Sequence, residues 1–108
     1  MLLNWRDRRL IGGLESGRAR WRFRTTMPDG EFDRLQVSLR ESPKARRILS
    51  EFDIYGRRRV IWSTGKSVWS FNECCSSCPA TLTVIAGTEN ELASTIRRVG
   101  ALMVPAHT

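Results

Sequence analysis

Histidine, lysine and acid are all scarce in this chain. His107 is the only histidine, and it stands next to the C-terminus. A Ser-His-Asp set, which needs an imidazole held between nucleophile and carboxylate, is therefore not expected. No uninterrupted apolar run approaches the about 18 residues of a membrane-spanning helix, so no membrane partner is expected. The 11 Asp and Glu fall well short of the 18 Lys and Arg, leaving a net charge of +7 and a pI near 10.6. Lys44 and Lys66 are the only lysines, so 16 of the 18 basic residues are arginine. Such a surplus favours an anionic partner. Arginine, with its rigid donor fork, suits phosphate and carboxylate, although a GC-rich genome also enriches it.

The three cysteines, Cys74, Cys75 and Cys78, fall in one local cluster. An odd, local group is not the disulfide framework of a secreted domain. The N-terminal residues MLLNWRDRRLIGG lack the apolar core of a signal peptide. Together these features predict a cytoplasmic protein. Cys74, Cys75 and Cys78 with His107 are the one conceivable zinc set, but structural zinc commonly draws on two cysteine pairs. Plain loop thiols are the expectation, with no metal and no cofactor. Thr64-Gly65-Lys66-Ser67 has the end of a phosphate loop, but Val60 stands where the motif needs its first glycine. A hairpin turn is expected there. A ribonuclease built on Arg and Tyr55 is the remaining catalytic option, and no catalytic constellation supports it.

The 108 residues suit one domain, 1–108, with 1–16 an irregular or helical N-terminal segment. Ala19, Trp21 and Phe23 alternate with Arg18, Arg20, Arg22 and Arg24, the period of a strand. Met27-Pro28-Asp29-Gly30 has turn chemistry, and Leu35, Val37 and Leu39 alternate again. A hairpin in the register Phe23–Leu35, Trp21–Val37 and Ala19–Leu39 matches every apolar residue with another. Its other face would gather Arg18, Arg20, Arg22, Arg24, Arg34 and Arg40 with no carboxylate.

Farther on, Ser42-Pro43 followed by Ala45, Ile48, Leu49 and Phe52 predicts a helix over about 43–52. A second hairpin should place Trp62 opposite Trp69 and Val60 opposite Phe71. Residues 81–86 read as a buried strand. Thr88 and Glu91 have capping-box spacing ahead of a stripe of Leu92, Ile96, Val99 and Met103. The expected architecture is α+β: a mainly antiparallel sheet of about five strands in the order β-β-α-β-β-β-α, with two helices on one face.

The expected function is a small, non-enzymatic binding module that engages the phosphate backbone of DNA or RNA through the six arginines. The alternative is a protein-docking or self-associating module, of the kind found in phage or other mobile elements. Such a module would bind an acidic protein or form a homodimer, without nucleic acid. Trp21, Phe23, Trp62, Trp69 and Phe71 alternate with polar residues and are expected in the core rather than stacked on bases.

Overall fold

A computed structural model describes residues 4–28, 30–74 and 78–103. Its elements are α1 (Trp5–Ser16), β1 (Trp21–Met27), α2 (Glu31–Glu41), β2 (Arg46–Phe52), β3 (Arg58–Ser63), β4 (Ser67–Glu73), β5 (Ala80–Ala86) and α3 (Glu89–Met103). The five strands form one antiparallel sheet in the order β1-β5-β4-β3-β2. The α+β class and the five-stranded antiparallel sheet are as expected.

Alternating residues divide the sheet into two buried faces. Phe23, Val84, Trp69 and Trp62 share one face, with Leu82, Phe71 and Val60 in the next row. Both α2 and α3 pack there, through Phe32, Leu35 and Leu39 of the first and Leu92, Val99 and Leu102 of the second. Trp69 and Phe71 are fully buried at the centre. The opposite face holds Ile85, Val68 and Ile61, covered by Leu10, Ile11 and Leu14 of α1. Two helices thus lie on one face, but one of them is α2 rather than the helix expected over 43–52, and a third covers part of the other face.

The second hairpin has the expected register: Trp62 faces Trp69 and Val60 faces Phe71. Residues 80–86 form a largely buried strand inside the sheet, next to the edge strand β1. Helix α3 begins as its capping spacing implies, with the Glu91 backbone N–H donating to the Thr88 hydroxyl at 3.2 Å.

Two segments differ from expectation. Residues 31–41 are the helix α2, so the expected partner strand of β1 does not exist, and β1 pairs with β5 instead. The alternation of Leu35, Val37 and Leu39 fits a strand, but Phe32, Leu35, Gln36 and Leu39 also fit one helical face. The second pattern prevails: those four are buried and Val37 is exposed. Glu31 and Asp33 in the first turn and Arg40 in the last complement the helix dipole. The turn chemistry at Gly30 does hold, at φ 84, but it opens a helix rather than a returning strand. Asp29 lies outside the described residues.

Residues 46–52 are the edge strand β2, not a helix. The pairing register of β2 with β3 shifts between Arg47 and Leu49. This bulge sends the consecutive Ile48 and Leu49 to the same cluster under α1. An extra residue in a strand thereby imitates helical i, i+3, i+4 spacing. Ser42 ends α2 rather than opening a new helix.

Candidate nucleic-acid interface

The six arginines expected on one ribbon face do not share one. Arg34 and Arg40 belong to α2, across the sheet from Arg22 and Arg24, which stand in the rows of Ile85 and Thr83 on the α1 side. Arg34 is spent on Glu31, at 2.9 Å. Arg40 lines a separate groove with Arg47, Arg58 and Asp33. Replacing a strand by a helix at 31–41 is the physical cause of this separation.

A smaller basic site remains on the α1–β1 flank. The sheet and α1 bound a groove of about 570 Å³ whose lining includes Trp5, Arg6, Arg9, Arg18, Arg20 and Trp21. Several contacts build it. Asn4 caps α1 by accepting from the Asp7 backbone N–H at 2.7 Å. The Asp7 carboxylate, 1% exposed, pairs with Arg46 and accepts from the Ser63 hydroxyl at 2.6 Å, pinning the start of α1 to β2 and β3. On its other side Arg6 meets Glu91 of α3 at 2.6 Å. Helix α1 is held across the sheet by an ion pair in each direction.

The far wall depends on Gly13. A Cβ there would sit 3.2 Å from the Ala19 Cβ and 3.6 Å from its Cα. The missing side chain lets the segment after α1 press close, and that segment carries Arg18 and Arg20. The Arg20 guanidinium lies 4.9 Å over the Trp21 ring. Beyond the groove the basic row continues along β1. Arg22 reaches back toward the loop after α1, its Nη1 3.9 Å from a Cβ built on Gly17. Arg24 follows two residues on, at about 6.6–6.8 Å along a strand. Both are exposed.

Charge pairing is uneven between this flank and the rest of the surface. Among the described residues, the carboxylates of Asp7, Glu15, Glu31, Asp33, Asp53, Glu73 and Glu91 pair with Arg46, Arg59, Arg34, Arg58, Arg57, Arg58 and Arg6 respectively. None of these ion pairs includes Arg9, Arg18, Arg20, Arg22 or Arg24, and Arg40 and Arg47 on the α2–β2 side and Arg97 and Arg98 of α3 stand outside them too. Four of those five residues were legible in the sequence as a basic row. Arg9 and the two tryptophans were missed as site residues. The signal for Arg9 and Trp5 is the Asn4-x-x-Asp7 helix start, after which Trp5, Arg9 and Gly13 recur at intervals of four along one helical face.

Cys74 and Cys78 are exposed, and no group of three or more His, Cys, Asp or Glu among the described residues is placed to hold a metal. Cys75 and His107 lie outside the described residues. Trp62, Trp69 and Phe71 are buried, and Phe23 packs partly buried against the same core. Only Trp21 of the expected core aromatics lines the groove. No helix among the described residues is long and apolar enough to cross a membrane. Compared with protein-family models, curated proteins and solved structures, the chain matches none of them.

Proposed function

We propose that this chain is a non-enzymatic nucleic-acid-binding module whose α1–β1 flank engages the sugar-phosphate backbone. The observation that carries this function is the gathering of Arg9, Arg18, Arg20, Arg22 and Arg24 without a carboxylate partner. Five like charges along a helix and an adjoining edge strand repel one another, and an anion placed among them relieves that repulsion. Arginine forks bind phosphate oxygens in paired hydrogen bonds. Contacts of this type position a backbone and carry no base sequence. Arg34 and Arg40, on the other side of the sheet, take no part.

Fluorescence anisotropy with labelled random DNA and RNA, single-stranded and duplex, tests this function at low and near-physiological salt. Binding at low salt that weakens steeply as salt rises is the expected result. No binding at low salt overturns it.

A second function, docking of a protein or of another copy, rests on a different surface. Phe52, Ile54 and Tyr55 stand exposed around the β2–β3 turn, beside the edge strand β2. A cluster of exposed large apolar side chains marks interaction surfaces. Light scattering discriminates the two: a salt-resistant dimer that ignores nucleic acid supports this second function alone.

A further inference from the structure

We propose that the α1–β1 groove is selective for single strands, holding unpaired bases against Trp5 and Trp21 while the arginines take the phosphates. This selectivity rests on the nucleic-acid function proposed above and specifies its ligand class. Phosphate binding alone gives no reason for the aromatic residues. Trp5 is 72% exposed on the first turn of α1, although a tryptophan gains free energy by hiding its ring. Trp21 opens on the same groove, and the partly buried hydrophobics packed against the central core are Phe23, Ala45, Leu92 and Leu102.

The groove therefore combines flat apolar rings with guanidinium planes. Arg20 over Trp21 adds a stacked cation–ring pair at 4.9 Å, and either plane accepts the face of a base. In a duplex the base faces are buried in the stack, and only their edges and the phosphates are open. Trp5 and Trp21 could offer a duplex nothing that Arg9 and Arg18 do not. An unpaired base has both faces free, and stacking on an aromatic side chain is tolerant of sequence. The volume of about 570 Å³ lies within the about 300–1,000 Å³ of sites for small organic groups. That is room for a base or two. Arg6, tied to Glu91 at 2.6 Å, shapes the wall, and the arginines outside that pair supply the charge.

The probes are a single-stranded oligonucleotide, a duplex of matched phosphate count, an abasic strand of equal length, and poly-glutamate as an acidic peptide. The proteins are the parent chain, Trp5→Ala and Trp5→Phe. Because Trp5 is exposed, both variants should unfold at the parent temperature, which a thermal melt checks. The parent should bind the single strand about tenfold or more tightly than the abasic strand, and more tightly than the duplex. Trp5→Ala should bring the single strand down toward the abasic value, and Trp5→Phe, which keeps a ring, should retain most of the difference. Equal binding of intact and abasic strands, unmoved by Trp5→Ala, overturns the stacking proposal and leaves the phosphate function standing. Binding of no polynucleotide at low salt overturns both. Tighter binding of poly-glutamate than of the oligonucleotide overturns both in favour of an acidic protein partner.

Discussion

The two sides of this molecule use the same residue for opposite ends. Around α2, β2 and β3, Arg34, Arg46, Arg57, Arg58 and Arg59 are consumed internally, while Arg40 and Arg47 are not. Arg58 lies 4.0 Å over the Phe32 ring and within 3.4 Å of both Asp33 and Glu73, Arg57 meets Asp53 at 2.5 Å, and Arg46 closes on the buried Asp7. Along α1 and β1, five arginines stand outside every described ion pair. Net charge alone does not distinguish these cases; partner placement does. An arginine whose acid is supplied in the fold stabilises the fold. One without an acid is available to outside anions, at some cost in self-repulsion.

Substitution should break this contrast most sharply in binding. Changing Arg9, Arg18, Arg20, Arg22 and Arg24 together to glutamine is expected to lower oligonucleotide affinity about a hundredfold or more at low salt. The matched change of five arginines elsewhere, Arg34, Arg40, Arg47, Arg57 and Arg59, should lower it only a few-fold, through loss of general charge. Anisotropy titrations of both variants measure this, and equal losses would erase the distinction between the two sides.

Stability should show the reverse ordering. Arg46→Ala leaves the 1% exposed Asp7 carboxylate with the Ser63 hydroxyl. The expected loss is about 2 kcal/mol, below the about 3–5 kcal/mol of a fully buried pair, because the Arg46 side chain is 43% exposed. Arg22→Ala should stay within about 0.5 kcal/mol. Denaturant unfolding of the two variants side by side gives the comparison.

Glycines extend the contrast at a smaller scale. Gly30→Ala forces a side chain into φ 84 at the start of α2 and should cost about 1 kcal/mol. Gly12→Ala, on the exposed side of α1 with nothing within 4 Å of its Cβ, should gain about 0.5–1 kcal/mol of helix stability. Thermal melts of the two variants should move in opposite directions.

The smallest effect concerns the turn between β2 and β3. Desolvation pushes the Asp53 carboxyl up, but hydrogen bonds from the Arg57 backbone, the Arg57 side chain and the Tyr55 backbone outweigh it and hold it below its ordinary 3.8. A carboxyl lowered in the fold contributes stability above its unfolded pKa, and that contribution fades as pH falls through the folded value. The Tyr55 and Arg57 amide resonances should therefore titrate with a midpoint below 3.8. A midpoint at or above that value would show that these bonds do not hold the carboxylate.

Legibility in the sequence followed the same physical lines. The β3–β4 register, β5 and the start of α3 were readable because one strong pattern acted in each: facing aromatics, an unbroken apolar run, a cap at fixed spacing. Residues 31–41 carried two compatible periods, and only the burial of Phe32 and Gln36 on tertiary contact separates them. In β2 a bulge disguised a strand as a helix. The first of these created a six-arginine face that the chain does not have. The basic row at Arg18, Arg20, Arg22 and Arg24 survived as neighbours because it is local to one stretch. Its continuation onto Arg9 and Trp5 was not readable, since it depends on how Asp7 and Arg6 dock α1 across the sheet.

Salt dependence of single-strand binding tests the central claim most directly. Five phosphate contacts should give a slope of log affinity against log salt of about −3.5. The Arg9, Arg18, Arg20, Arg22 and Arg24 variant should be nearly flat. A slope that this variant leaves unchanged, or that drops only when arginines around α2 and β2 are removed, would contradict the claim that the unpaired arginines of the α1–β1 flank carry the binding.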